Sequence, residues 1–179
     1  METATLERNR AITGKSQDMW NALAEALPSG AERHDSVPRA FFKLNSLDLI
    51  KAIKRGVPAE MVSRLSKELN IPILETADML GFPASTIARK ARASDKLPAD
   101  QGERLLQVVR LIGLTEEIIK VYGDPELSKD FDAAKWLGQW LEVPHAALGG
   151  KKPAEYLDTA KGGEMVENLL KNIAEGGFA

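Results

Sequence analysis

The chain has 179 residues, of which 44% are hydrophobic and 28% are charged, and its formal net charge is −2. This composition is typical of a soluble globular protein with one domain or two small ones, and it excludes collagen-like and membrane-spanning chains. No cysteine is present, which excludes disulfides, thiolate metal ligands and a cysteine nucleophile. The first residues lack the apolar run of a secretory signal, so the sequence predicts a cytoplasmic protein.

Amphipathic helices are predicted along most of the chain, because apolar residues recur every three or four positions. Residues 1–15 are predicted to be a mobile arm, and a first helix is predicted to begin at Ser16 and end at Pro28. Residues 31–45 have no clear period and predict a loop with a short strand or helical turn. No strand signal of comparable quality appears, so the predicted class is all-α. The later predicted helices cover residues 46–55, 58–70, 72–80, 84–94, 98–122, 124–141 and 159–175.

The segment ETADMLGFPASTIARKAR, residues 75–92, has the spacing of a helix-turn-helix. Ala77 is small enough for a second helix to cross the first closely, and Gly81 can adopt the left-handed conformation of a sharp turn. Leu80, Phe82 and Ile87 are predicted to form the buried wedge between the two helices. The side chains predicted to contact DNA from the second helix are Ser85, Thr86, Arg89, Lys90 and Arg92.

Local charge supports DNA binding, because four cations and one anion give residues 84–96 a net charge of +3. The alternative is a plain pair of packed helices with a solvated basic face, and Pro83, which stands where a Ser or Thr cap is expected, favours it. One helix-turn-helix has a small footprint. A homodimer on palindromic operator DNA is therefore predicted.

No enzymatic, metal or cofactor motif is evident. The segment LGGKKP, residues 148–153, lacks the glycine and the hydroxyl residue of a phosphate-binding loop, and His34 and His145 are far apart in sequence. The pair Trp136 and Trp140 is better explained by a core or a dimer interface than by a ligand site.

The C-terminal third contains a tight turn at Gly149 and Gly150, then Pro153 opening a short helix, then Asp158 or Thr159 as the cap of a last helix. This pattern, with LDLIKAIKRGVPAEMVSRLSKELNI, the helix-turn-helix and ERLLQVVRLIGLTEEIIKVYGD, resembles the Xre/MbcA/ParS antitoxin family. The resemblance extends from about Ser46 to the last residue.

The resemblance implies an N-terminal Xre-like helix-turn-helix domain followed by a small helical toxin-binding domain. The expected boundaries are 1–45 for an arm and helix, 46–112 for DNA binding and 113–179 for toxin binding. We expect no enzyme activity and no cofactor, because no catalytic or cofactor motif is evident. Proteins similar to this one silence a cognate RES-type toxin, which consumes NAD or ADP-ribosylates a target, and they repress their own operon. The resemblance also implies a homodimer within a larger hetero-oligomer with the toxin.

The surface that the resemblance assigns to the toxin is the 148–179 region, whose last residues would cover the toxin's NAD site. The residues expected to contact the toxin are Asn168, Lys171, Glu175, Gly176, Gly177 and Phe178. Gly177 stands where the family usually has a β-branched residue. Three alternatives stay open: a free-standing regulator whose C-terminal domain only dimerises, an adaptor without DNA binding, and a simple helix cap at Gly176 with Phe178 folded back on the last turn.

Overall fold

The computed structural model describes residues 20, 23–27, 36–83, 95–126 and 128–176, and these residues form helices and turns without a β-strand. This confirms the predicted all-α class. The predicted arm, most of the first helix and residues 84–94 lie outside the described residues. The described helices are α1 (Val37–Lys43), α2 (Ser46–Arg55), α3 (Met61–Leu69), α4 (Ile73–Met79), α5 (Ala99–Tyr122), α6 (Ala133–Leu141) and α7 (Ala160–Ala174), with short 3₁₀ helices η1 (Ala146–Leu148) and η2 (Pro153–Tyr156).

The 24-residue helix α5 is the centre of the fold, and α1, α2, α6 and α7 all pack against it. Its middle is apolar on more than one side, as expected of a helix that is surrounded by others. The helix α1 crosses it at Gly113, where a Cβ atom would lie 2.2 Å from the carbonyl oxygen of Pro38. Glycine is therefore required there by the close approach of two backbones.

A second close approach joins the N-terminal and C-terminal helices. The helix α3 packs on α6 at Gly138, where a Cβ atom would lie 2.0 Å from the carbonyl oxygen of Leu69. Leu65, Leu137 and Leu170 belong to one continuous hydrophobic core. The domain boundary predicted after residue 112 lies inside α5, so a continuous helix and a shared core connect the two regions; the boundary itself stays a prediction.

The helix α1 lies where a loop with a short strand or helical turn was predicted. Ser36 caps it by accepting a hydrogen bond from the Arg39 N–H at 3.2 Å. Phe41 is fully buried and Phe42 is half-buried. Adjacent aromatic residues would lie on opposite faces of a strand, but in a helix they are only about 100° apart, so both reach the core.

The start of α3 corrects a prediction. Pro58 is not its first helical residue, because the helix begins at Met61. Pro58 instead forms an isolated antiparallel bridge with Lys96, and the N–H of Ala59 donates to the carbonyl of Asp95 at 2.8 Å. The backbone before α3 is therefore used to hold the segment that follows residue 94.

The start of α6 also differs from the prediction, which placed it at Asp124. The helix begins at Ala133, where Asp132 caps it by accepting the Lys135 N–H at 3.0 Å. The Asp124 side chain accepts the N–H of Glu126 at 2.8 Å in a turn. Both aspartates satisfy backbone donors, and only the second is followed by continuous helical residues.

Candidate functional surfaces

The first half of the predicted helix-turn-helix is present in the described residues. The helix α4 is followed by Gly81 at φ +65°, in the left-handed region, and the N–H of Phe82 donates to the carbonyl of Ala77 at 2.8 Å. Ala77, Leu80 and Phe82 are buried. The sequence therefore predicted the turn and the burial of Leu80 and Phe82 correctly.

The residues predicted to contact DNA, Ser85, Thr86, Arg89, Lys90 and Arg92, lie outside the described residues, as does the wedge residue Ile87. Both flanks of this segment are attached to the fold. Phe82 is buried on one side. On the other side, the N–H of Leu97 donates to the carbonyl of Val57 at 2.7 Å. The predicted DNA contacts stay predictions.

The turn over residues 145–151 has the two glycines that the sequence indicated, with φ of +66° at Gly149 and +80° at Gly150. Their N–H groups donate to the carbonyls of Ala146 and His145, at 3.0 and 2.9 Å. An anion site needs backbone N–H groups that are not already bonded within the chain. Both amides already donate within the turn, so they do not form a phosphate-binding loop.

The last helix, α7, is capped by Thr159, the second of the two residues predicted for that role. Its hydroxyl accepts the Gly162 N–H at 3.0 Å. Val166 and Leu170 belong to the core, where α7 packs on α5. The opposite, open side is here called the outer face of α7, and it consists of Lys161, Glu164, Met165, Asn168, Asn172 and Glu175.

Two apolar residues of α7 lie outside the hydrophobic core. Met165 and Ile173 belong to the same periodic pattern as the core residues, yet 39% of Met165 and 36% of Ile173 is exposed. Apolar side chains that are exposed singly are normal on a protein surface, so this exposure does not by itself assign a contact. Only the packing of α7 on α5 distinguishes the two residues from core positions.

The residues predicted to contact a toxin differ in exposure, and two of them lie outside the described residues. Asn168, Glu175 and Gly176 are exposed, and Gly176 has φ +74° at the end of α7. Gly177 and Phe178 lie outside the described residues. Lys171 is half-buried and donates a hydrogen bond to Glu167. None of these contacts with a toxin is tested by the structure.

Lys171 belongs to a partly buried ionic cluster with Glu167, Gln107 and Arg110, in which 10% of the Glu167 side chain and 40% of the Lys171 side chain is exposed. The Lys171 ammonium donates to Glu167 Oε1 at 2.7 Å, and the Gln107 amide donates to Oε2 at 2.9 Å. The Arg110 guanidinium lies 3.7 Å from Oε2. Burial by itself raises the pKa of Glu167, but the Lys171 hydrogen bond and the Arg110 charge hold that pKa below its ordinary value. The cluster fastens α7 to α5.

Aromatic side chains form a row along α6 and the turn that follows it. Trp136 and Trp140 are stacked, with ring centroids 6.3 Å apart, and the Trp140 ring lies 5.3 Å from that of His145. Trp140 packs on the core, whereas Trp136 is 37% exposed. The core interpretation therefore holds for Trp140.

In the part of the chain that the structure describes, no helix combines the length and the apolar character that crossing a bilayer requires. In the same residues, no three His, Asp or Glu side chains come together in a way that could hold a metal ion.

Two parts of the chain match families of known proteins. Residues 48–110 match the antitoxin Xre-like helix-turn-helix domain, and residues 121–176 match the antitoxin Xre/MbcA/ParS C-terminal toxin-binding domain. The Prs ADP-ribosylating antitoxin of Sphingobium sp. strain YBL2 is 33% identical over 141 residues, which is 79% of this chain and 87% of that protein. The antitoxin Xre of Pseudomonas putida strain KT2440 is 26% identical over 95 residues, 53% of this chain and 52% of that protein.

The helices, the turn at Gly81 and the two domain matches define a protein with a helix-turn-helix domain followed by a toxin-binding domain. The chain belongs to the Xre/MbcA/ParS antitoxin family, as the resemblance indicated.

Proposed function

We propose that the chain neutralises a RES-domain toxin, which consumes NAD or ADP-ribosylates a target, by covering the toxin's active site with residues 174–179. We also propose that it represses its own operon in the cytoplasm, as a homodimer on palindromic DNA within a larger complex with the toxin. In this proposal it is a non-enzymatic regulator that needs no cofactor.

The observation that carries the toxin part is the outer face of α7. This face is open along the whole helix and leads directly to Glu175 and Gly176. The name of the Sphingobium relative joins an antitoxin to ADP-ribosylation, one of the two proposed chemistries. Residues 153–179 carry five acids and two lysines, a net charge of −3, which suits a partner whose nucleotide pocket attracts phosphates.

The substitution Asn168→Arg tests this surface. We expect it to weaken toxin inhibition at least about tenfold, because a long charged side chain would stand within the interface, a loss of about 1.4 kcal/mol. The measurement is NAD loss by the toxin encoded beside this gene, at increasing antitoxin concentration. Gln139→Arg is the matched control, because it makes the same change at an exposed amide on α6. Equal inhibition by Asn168→Arg and the control would contradict the proposal.

Repression is tested with the protein's own promoter DNA in a gel shift. We expect the unmodified chain to retard the DNA and Arg89→Ala to weaken the complex, because a phosphate or base contact with the predicted second helix is lost. Retention of the full shift by Arg89→Ala would remove that residue from the interface. A chain that binds toxin but never DNA would be the adaptor.

The second candidate function is a free-standing regulator whose C-terminal domain only dimerises. The exposed part of Trp136, beside the stacked Trp140, favours some contact between copies. The neighbouring reading frame separates the two candidates, because a RES-domain gene beside this one favours the antitoxin and its absence favours the lone regulator.

A further inference from the structure

One lysine near the end of α7 connects this helix with two others. The Lys171 ammonium donates to Glu167 Oε1 at 2.7 Å and lies 5.8 Å from the ring centroid of Phe42, which belongs to α1. Glu167 in turn accepts the amide of Gln107 and lies 3.7 Å from the Arg110 guanidinium, both on α5. Lys171 therefore contacts α1 directly and is connected to α5 through a carboxylate.

The carboxylate that Lys171 binds is held in place from α5. A Cβ atom on Gly163 would lie 2.5 Å from Cγ of Gln107, so the Gln107 side chain lies directly against the backbone of α7. The Gln107 amide donates to Glu167 Oε2 at 2.9 Å, which leaves Oε1 for the ammonium of Lys171. The position of this ammonium in the last turn of α7 is therefore set by contacts with α5.

The end of α7 is built on the backbone of the same lysine. The N–H of Glu175 donates to the carbonyl of Lys171 at 3.0 Å, and the N–H of Gly176 donates to the carbonyl of Ile173 at 3.1 Å. Gly176 has φ +74°, so the chain turns away from the helix there. Residues 174–179, which are proposed to cover the toxin's active site, begin three positions after Lys171. Contacts that hold Lys171 therefore also determine where this segment starts.

We propose that Lys171 is a positioning residue of the toxin-binding region: through Glu167 and Phe42 it holds the end of α7, so that residues 174–179 leave from a fixed point. This inference rests on the proposed function, and it replaces the direct toxin contact that the resemblance assigned to Lys171. A segment that leaves a fixed helix end loses less conformational freedom on binding than one that leaves a fraying end. Toxin affinity therefore depends on Lys171 although its ammonium is used within the chain.

A double-mutant cycle distinguishes positioning from direct contact with the toxin. Lys171→Met keeps the apolar stem beside Phe42 but removes the ammonium, and we expect it to weaken inhibition of the toxin about fivefold. Glu167→Gln should weaken inhibition by a similar factor, because Lys171 then has no carboxylate to bind. The variant with both changes should inhibit as strongly as Glu167→Gln alone. Losses that multiply in the double variant would overturn the inference, because the two side chains would then act independently.

A conservative variant and a matched control complete the cycle. Lys171→Arg keeps a cation that binds a carboxylate and lies over an aromatic ring, so its inhibition should stay within about twofold of the unmodified chain. Lys129→Met is the matched control, because it removes the same charge from an exposed pair with Glu126 outside α7, and it should inhibit as the unmodified chain does. Equal losses in Lys171→Met and Lys129→Met, or in Lys171→Met and Lys171→Arg, would overturn the inference.

Backbone order parameters measured by nitrogen-15 relaxation test the positioning without the toxin. The order parameters of the Glu175 and Gly176 amides should fall by about 0.2 or more in Lys171→Met and in Glu167→Gln, the difference between an ordered and a flexible backbone. Unchanged order parameters in Lys171→Met would overturn the inference even if inhibition falls. If the unmodified chain inhibits no RES-domain toxin, the proposed function fails, and a fall in these order parameters still supports the role of Lys171 in holding the end of α7.

Discussion

Deletion of residues 174–179 is expected to weaken inhibition of the toxin strongly while the helical fold remains. The last buried residue of α7 is Leu170, and Glu175 and Gly176 are exposed, so the deletion removes little of the core. Loss of an interface hot spot typically costs about 2 kcal/mol or more, so we expect inhibition to weaken at least about 30-fold. The measurements are NAD loss by the toxin and thermal unfolding of the truncated chain.

Phe178→Ala distinguishes two hypotheses for this side chain: contact with the toxin, or packing on the last turn of α7 as part of a helix cap. If Phe178 folds back on the last turn of α7, its truncation lowers the unfolding temperature and leaves inhibition unchanged. If it contacts the toxin, inhibition falls and the unfolding temperature stays the same. Full inhibition by the chain lacking residues 174–179 would contradict the covering of the active site, whatever the single substitution does.

Glu167→Gln is expected to cost the fold about 1–2 kcal/mol at pH 7. The substitution leaves the Lys171 ammonium and the Arg110 guanidinium beside a neutral group, but 40% of the Lys171 side chain is exposed, so solvent offsets part of the loss. Urea unfolding followed by circular dichroism measures the change. Glu164→Gln is the matched control on the same helix, because its pair with Lys161 is exposed and should contribute less than about 1 kcal/mol. Equal losses for the two variants would contradict a partly buried ionic cluster.

The pH dependence of this effect has a definite sign. The pKa of Glu167 is lower in the folded chain than in the unfolded one, so its ionised form stabilises the fold at a pH above the unfolded value, about 4.3. As the pH falls through the lower folded pKa, this contribution disappears. The stability difference between the unmodified chain and Glu167→Gln should therefore be constant near neutrality and shrink in acid. A difference that grows in acid would show the opposite shift.

The sequence alone predicted the features that depend on residues close together in the chain. Apolar residues at helical spacing predict α5 and α7 because a helix brings positions three and four apart onto one face. Gly81 predicts the turn because a glycine adopts positive φ without a clash, and Thr159 caps α7 through an amide three residues away. The resemblance rested on such local patterns too, and the family comparisons confirm it.

Only the tertiary structure shows which side of each helix is buried and which neighbouring side chains it contacts. Periodicity does not distinguish Met165 from Val166, or the paired Lys171 from an open lysine, because the difference lies in a neighbouring helix. Arg104 has nothing unusual around it in the sequence, yet it bonds a carbonyl 54 positions away. Local patterns determine helices and caps through short-range sterics and hydrogen bonds. Contacts between distant positions exist only after the helices pack around α5.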